Sequence, residues 1–239
     1  MAAEGAIVAS IQVGRPRTWG EEGAVDPMDR PWVSGFVKEA VAGPTALRRT
    51  NLDGDEQADL VYHGGPDKAV CCYPAAHYPA WRAELGLADL GFGGFGENFT
   101  IEGLAEADVC VGDVWRVGGA LVQVSQPRQP CWKIARRWRI KTLTLRVQQT
   151  GRTGWYVRVL EEGPVAPRAA IDRVERPHPD WTVARANQVM HHHKADLDAA
   201  AELAALPALS ASWKATLASR VFKHAEADPS ARLEGRAGG

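Results

Sequence analysis

The chain is poor in cysteine: four occur in 239 residues, and they are Cys71, Cys72, Cys110 and Cys131. They form no CxxC pair and match no zinc or iron–sulfur spacing, which excludes a metal cluster held by cysteines. In a chain of this length they are also too few for a disulfide framework, so reduced thiols are expected. Each cysteine is therefore a candidate either for core packing or for chemistry of its own.

Long apolar runs and an excess of one charge are missing as well. No run approaches the roughly 18 apolar residues that a membrane helix needs. The start of the chain, Met1–Gly5, lacks the basic residues and apolar stretch of a secretory signal. A net charge of -1 gives no general attraction to nucleic acid. We therefore expect a cytoplasmic protein that binds neither a membrane nor a nucleic-acid polymer.

The patterns that are present indicate a β-rich domain. Ala6–Val13, Val33–Val41 and Ala120–Ser125 are alternating or β-branched stretches bounded by turn residues. Glycine or proline interrupts the first part of the chain at intervals of roughly eight to twelve residues, which favours a barrel or sandwich over βαβ units. We predict a mainly β barrel with short helices over residues 5–176.

The chain changes character after Pro177–Trp181, which has the composition of a linker. Apolar residues then recur at helical spacing in three runs between residues 182 and 224. We predict a small three-helix module over residues 180–225. The remaining residues 226–239 are rich in glycine, alanine and charge, and we predict a disordered tail there.

The stretch Gln126-Pro-Arg-Gln-Pro-Cys-Trp-Lys133 presents a thiol on a stiffened loop. Its two prolines fix their own φ and restrict the residues before them, so the loop has few backbone states to lose. Arg128 and Lys133 favour the thiolate, which is the form that attacks electrophiles and binds soft metals. Free cysteine is also among the most buried residue types, so a packing role for Cys131 remains the alternative.

Two further motifs combine glycine with polar or charged residues. In His63-Gly-Gly-Pro-Asp-Lys68 the glycines permit positive φ and close backbone approach, so that amides and the lysine can surround an anion. A β-turn without a ligand is the alternative there. A glycine-rich loop that starts at Leu90 ends at Glu97 and Asn98, which suits either the lining of a pocket or a plain surface loop.

The motifs 128–133, 51–57, 63–68 and 95–98 together resemble the MOSC family, named after the C-terminal domain of molybdenum cofactor sulfurase. Within that family they are similar to the YiiM-like branch, which has an appended three-helix module. The resemblance implies a MOSC-type β-barrel that binds the molybdenum cofactor (molybdopterin). It implies that Cys131 is the metal ligand and catalytic residue. The cofactor-binding residues that it implies are His63, Gly64, Gly65, Lys68, Asn98 and Arg128.

The resemblance also implies a function. Family members of this kind are linked to reduction of N-hydroxylated compounds such as 6-N-hydroxylaminopurine, and so to detoxification of base analogues. Because the chain has no iron–sulfur or flavin motif, the electrons are expected from a separate reductase, and a flavoprotein is the expected kind. The alternative is a cofactor-binding or sulfur-carrier protein that uses a Cys131 persulfide without reductase activity. A pyridoxal phosphate role is sometimes inferred from the family name, but this chain lacks the lyase-like domain for that chemistry.

Overall fold

The computed structural model describes residues 5–226 and 228–235. No helix in this part of the chain combines the length and the apolarity that crossing a membrane requires. Strands β1 to β12 are Ile7–Val13, Arg17–Trp19, Trp32–Ser34, Glu39–Ala40, Thr45–Leu47, Val70–Pro74, Phe99–Glu102, Val114–Val117, Ala120–Pro127, Trp155–Glu161, Gly163–Val165 and Ile171–Glu175. Helices α1 to α8 are Leu60–His63, His77–Leu85, Lys133–Trp138, Leu143–Thr150, Val183–Asn187, Leu197–Ala205, Ala211–Lys223 and Ser230–Leu233. Pro66–Lys68 forms a 3₁₀ turn, and Gln188–His192 continues α5 as a π-helical turn.

Eight of the described strands form one curled sheet in the order β12-β8-β9-β10-β6-β7-β1-β4. Neighbouring strands are antiparallel except β6 and β7, which are parallel. Hydrogen bonds between β1 and the residues around the start of β12 join the two ends of the sheet. The Val8 amide donates to Ala169 O at 2.9 Å, and the Arg168 amide donates to Val8 O at 2.7 Å. The predicted mainly β barrel with short helices is confirmed as this strongly curled sheet.

The barrel interior follows from the alternation of side chains along the strands. In β9, Val122 and Val124 lie in the interior cluster. Leu121, which precedes them, and Gln123, which lies between them, are only half-buried. Most interior residues of the other strands are likewise valine, isoleucine or alanine, and β-branched side chains suit a pleated surface. Each fully buried valine or isoleucine contributes roughly 1.5–3 kcal/mol relative to an exposed one.

The helical module begins at Thr182, whose hydroxyl accepts a hydrogen bond from the Arg185 amide at 3.0 Å and so caps α5. Helices α5, α6 and α7 surround a second apolar cluster that includes Leu203, Trp213 and Leu217. The small helical module after the barrel is thus confirmed. The predicted domain limits, 5–176 and 180–225, stay predictions.

The predicted disordered tail needs a correction over residues 228–235. Asp228 Oδ1 accepts hydrogen bonds from the Ser230 amide at 2.9 Å and from its hydroxyl at 2.6 Å, and α8 starts there. The Trp132 amide donates to Arg232 O at 2.8 Å. The composition of the tail did not predict this order because its partners lie about a hundred residues earlier in the chain. Ala227 and residues 236–239 of the predicted tail lie outside the described residues.

Candidate functional site

The Cys131 loop connects β9, at the centre of the sheet, to α3. The Arg128 amide donates to Gly154 O at 3.0 Å, which ties the start of the loop to the beginning of β10. Cys131 O accepts from the Ile134 amide at 3.1 Å and from Thr144 Oγ1 at 3.2 Å. The backbone on both sides of the thiol is therefore held by hydrogen bonds, as the two prolines led us to expect.

One open cavity brings most of the predicted site residues together. Its lining includes His63, Lys68, Asn98, Arg128 and Cys131. These five residues come from three separate segments, so the cavity exists only in the folded chain. Gly64 and Gly65, the other two predicted site residues, are not part of the lining.

The Cys131 thiol lies beside His63, with 3.4 Å between Sγ and Nε2. The side chain of Cys131 is only 7% exposed, and burial by itself raises the pKa of a thiol. The hydrogen bond with His63 and the electrostatic influence of His63, Arg128 and Lys133 outweigh burial and lower the pKa of Cys131 to about 6. The sulfur is therefore a thiolate at neutral pH.

His63 is positioned by the short helix α1, which begins after Asp59. Asp59 Oδ1 accepts from the amides of Val61 and Tyr62 and caps the helix, while its Oδ2 lies 3.7 Å from His63 Nδ1. That distance is too long for a hydrogen bond. Nδ1 is buried and has no hydrogen-bond partner among the described residues, so one ring nitrogen faces the thiol and the other is left for a ligand or water.

Arg128 places a second positive charge in the cavity, and its side chain is buried. Nη2 donates to Phe95 O at 2.5 Å. Burial lowers the pKa of Arg128, but the neighbouring Cys71, Tyr156 and Cys131 groups outweigh it and the pKa is raised, so the guanidinium stays charged. Among the described residues Arg128 makes no ion pair with a carboxylate, and the anionic group beside it is the Cys131 thiolate.

The His63–Lys68 motif forms a tight turn at the cavity edge. Gly65 has a φ of 94°, which favours glycine at this point of the turn that follows α1, whereas Gly64 has an ordinary extended backbone. Lys68 Nζ donates to Tyr62 O at 2.6 Å, and burial lowers the pKa of Lys68. The structure thus shows a conformational role for Gly65, and the binding role of both glycines stays a prediction.

Asn98 lines the cavity and at the same time joins three strands. Its Oδ1 accepts from the Cys71 amide at 3.1 Å, and its Nδ2 donates to Gln12 O at 3.2 Å. Both ends of the amide are therefore engaged by backbone groups, which leaves one Nδ2 hydrogen for a ligand. Asn98 contributes to the shape of the cavity floor.

Sequence reasoning missed several residues of the lining, among them Lys38, Cys71 and Tyr156. Cys72 lies in the barrel interior, and the alternation of β6 places its neighbour Cys71 on the other face, towards the cavity. Burial raises the pKa of Cys71, so this thiol stays protonated. The adjacent cysteines were the available signal, because two successive strand residues cannot face the same side.

Lys38 has a fixed partner, unlike Arg128. It forms a close ion pair with Asp55, and the side chains of both are almost fully buried. Asp55 Oδ1 also accepts from the Gly14 amide at 2.8 Å. Asp55 therefore neutralises a lysine at the cavity wall.

The fold and the site together define a β-barrel protein with a helical module and a buried thiolate in a cation-lined cavity. The chain belongs to the MOSC family: the MOSC domain model matches residues 59–172. The model described as "YiiM-like, 3-alpha helix domain" matches residues 181–224. Family membership and the YiiM-like branch, both expected from the motifs, are thereby confirmed.

Individual relatives agree with this assignment. The protein YflK of Bacillus subtilis (strain 168) is 46% identical over 209 residues, which are 87% of this chain and 91% of that protein. The crystal structure of YiiM from Geobacillus stearothermophilus has a TM-score of 0.75 and 37% identity, and the match covers 90% of this chain and 99% of that one. A protein of Gibberella moniliformis (strain M3125 / FGSC 7600) named "Reductase" is 36% identical over 73% of this chain and 31% of its own length.

Proposed function

We propose that this protein is a molybdenum-cofactor-dependent oxidoreductase that reduces N-hydroxylated compounds such as 6-N-hydroxylaminopurine, with Cys131 as the protein ligand to molybdenum. The observation on which the proposal depends is the Cys131 thiol, whose pKa is lowered to about 6 at a cavity wall. A thiolate is the soft ligand that such a metal takes from a protein. Family membership and a relative named "Reductase" support the class of reaction.

The charges around the cavity fit an anionic, phosphorylated pterin. Arg128, Lys68 and Lys133 all line it, and among the described residues none of the three makes an ion pair with a carboxylate. Three cations around one thiolate leave an excess of positive charge, and an anionic ligand offsets that excess. We infer that Arg128 and Lys133, which lie near the thiolate, contact the bound group beside the metal, and that Lys68 contacts it at the cavity edge.

Cys131 would hold the metal of a bound molybdenum cofactor, and that group would supply the two-electron reducing chemistry. The complete reaction takes up two electrons and two protons, breaks the N–O bond and releases an amine and water. His63 is the residue that holds a proton next to the reacting centre, because its Nε2 lies 3.4 Å from Cys131 Sγ. The electrons come from a separate reductase, for which a flavoprotein is proposed, and the protein acts in the cytoplasm.

The experiment is the comparison of wild type with Cys131→Ser after expression in a host that makes the cofactor. Serine is close in size, but its hydroxyl is a harder ligand with a far higher pKa. We expect loss of bound molybdenum, measured by plasma mass spectrometry, and a fall of at least about a hundredfold in hydroxylaminopurine reduction with a reductase added.

Cys110→Ser is the matched control, because Cys110 is buried outside the cavity; Cys71→Ser is unsuitable since Cys71 lines it. The control is expected to lose stability before specific activity. If Cys131→Ser retains both metal and activity, Cys131 is not the ligand and the proposal is withdrawn. If wild type takes up no molybdenum but is isolated with a Cys131 persulfide, the sulfur-carrier alternative is correct.

A further inference from the structure

The C-terminal segment 228–235 lies beyond both regions that the family models match, yet it contacts the candidate site. The segment contains α8 and packs against the Cys131 loop. Its start is fixed by the bonds from Ser230 to Asp228, which also lower the pKa of that carboxyl group. The position of this segment is therefore a property of this chain that the family assignment does not explain.

Arg232 makes the contacts that matter for Cys131. Its Nη1 donates to Pro130 O at 2.6 Å, and its own carbonyl accepts from the Trp132 amide at 2.8 Å. The two bonds hold the residues immediately before and after Cys131. Arg232 Nη2 donates to Gln148 Oε1 at 2.6 Å, which ties the same guanidinium to α4.

The loop depends on these bonds because it has few others. Pro130 has no N–H, and among the described residues Pro130 O and the Trp132 amide have no partner besides Arg232. An arginine that bonds a buried or half-buried carbonyl makes a charge-assisted hydrogen bond, which is stronger than a neutral one. Without Arg232, both groups flanking the thiol lose their protein partner.

The segment acts from behind the loop and not from within the cavity. None of the described residues 228–235 belongs to the cavity lining. Gly235 lies against the Trp132 ring at a φ of +86°, where a side chain would come within 3.4 Å of the ring carbons. The segment can therefore hold the loop without obstructing a ligand.

We propose that Arg232 is a positioning residue for Cys131, and that residues 228–235 form a strap that holds the thiol in its cavity. The strap acts on the loop backbone, so its effect is the same whether Cys131 binds molybdenum or carries sulfur. The proposal goes beyond the proposed function and stands or fails separately from it.

The first test is a chain that ends at Ala227. This end point keeps Glu226, which pairs with the buried Arg220 and so supports the helical module. We expect amide hydrogen exchange in residues 128–135 and iodoacetamide alkylation of Cys131 to become about tenfold faster, the factor that corresponds to loss of a hydrogen bond to a charged group. Exchange in β10, residues 155–161, is expected to stay unchanged.

Single substitutions keep the test decisive if the shortened chain is unstable. Arg232→Gln removes the charge and is expected to reproduce the faster exchange and alkylation, whereas Arg232→Lys keeps one charged donor and is expected to restore part of the protection. Lys223→Ala, at an exposed position of α7, is the control. Unchanged exchange and alkylation in Arg232→Gln would overturn the proposal, as would an equal acceleration in β10, which would indicate general loosening.

Discussion

The pKa values of two buried thiols are shifted in opposite directions. One thiol, Cys131, lies at the mouth of the barrel, and the other, Cys110, lies at the junction of the barrel with the helical module. Cys131 is 7% exposed and Cys110 is 0% exposed, so burial raises the pKa of both. At Cys131 the pKa is nevertheless lowered to about 6, because His63, Arg128 and Lys133 surround the sulfur. At Cys110 the pKa is raised. Burial is the largest cause, and the negative charge of the Asp113 carboxylate raises the pKa further.

The comparison teaches that the charged and hydrogen-bonding groups beside a cysteine, and not its degree of burial, decide whether it is chemically active. Cys110 Sγ donates to Pro179 O at 3.3 Å, and its amide donates to Asp113 Oδ2 at 3.0 Å, which are contacts of a structural residue. Asp113 in turn pairs with Arg176 through contacts of 2.8 and 2.5 Å. The same residue type is thus part of the packing in one region and a thiolate in the other.

The largest expected effect is on the pH dependence of stability. The pKa of Cys131 is about 6 in the folded protein and 9.0 for an ordinary thiol, so its stabilising contribution is complete above pH 9 and is lost as pH falls from 9 to 6. We expect the unfolding free energy of wild type minus that of Cys131→Ser, from urea titrations, to rise by up to about 4 kcal/mol between pH 6 and 9.

The corresponding difference for Cys110→Ser is expected to be flat from pH 6 to about 8 and to fall slightly towards pH 9. The pKa of Cys110 is raised, so its folded thiol stays protonated, whereas the unfolded thiol begins to ionise as the pH approaches its ordinary pKa of 9.0. If the difference in unfolding free energy changes with pH in the same way for Cys131→Ser and Cys110→Ser, the neighbours of Cys131 do not stabilise its thiolate. The contrast between the two regions would then be lost.

The next effect concerns thiol reactivity. His63→Phe keeps a ring of similar size but removes the nitrogen that bonds Cys131 Sγ. At pH 7 we expect alkylation of Cys131 by iodoacetamide to fall roughly a hundredfold, since the thiolate fraction drops when the pKa returns to 9 or above. The rate is followed by mass spectrometry of the Cys131 peptide.

His192→Phe is the matched control, because it makes the same change at an exposed histidine. The control is expected to leave alkylation of Cys131 unaltered. An equal rate in wild type and His63→Phe would show that Arg128 and Lys133 suffice to ionise the thiol.

The smallest effect tests the structural region. Asp113→Asn keeps the shape of the side chain but removes the charge that faces Arg176, and we expect a loss of about 2 kcal/mol in the free energy of unfolding. Alkylation of Cys131 is expected to stay the same. Arg116→Ala breaks an exposed pair between Arg116 of β8 and Glu161 of β10, and a loss of about 0–1 kcal/mol is expected there. Equal losses from the two changes would contradict a structural role for the buried pair.

Local patterns predicted the elements of the fold well. Alternation and turn residues indicated β1 and β9, and helical spacing after Pro177 indicated the module, because both signals depend on neighbouring residues only. The predicted stretch Val33–Val41 is divided in the structure into β3 and β4. The candidate cavity was partly predicted: Cys131, Arg128, His63, Lys68 and Asn98 line it. What the motifs did not distinguish was which of these side chains is free, since Asn98 is engaged at both ends by backbone groups.

By itself, the sequence determined a β-rich domain followed by helices, and a stiff loop with a cysteine at its end. The state of that cysteine was decided only by the tertiary structure, because His63 lies 68 residues before it in the chain. The same holds for the partner of Pro130, which is Arg232, 102 residues later. Charges and hydrogen bonds act over a few ångströms in space, and no local pattern states which distant residues the fold will bring within that range.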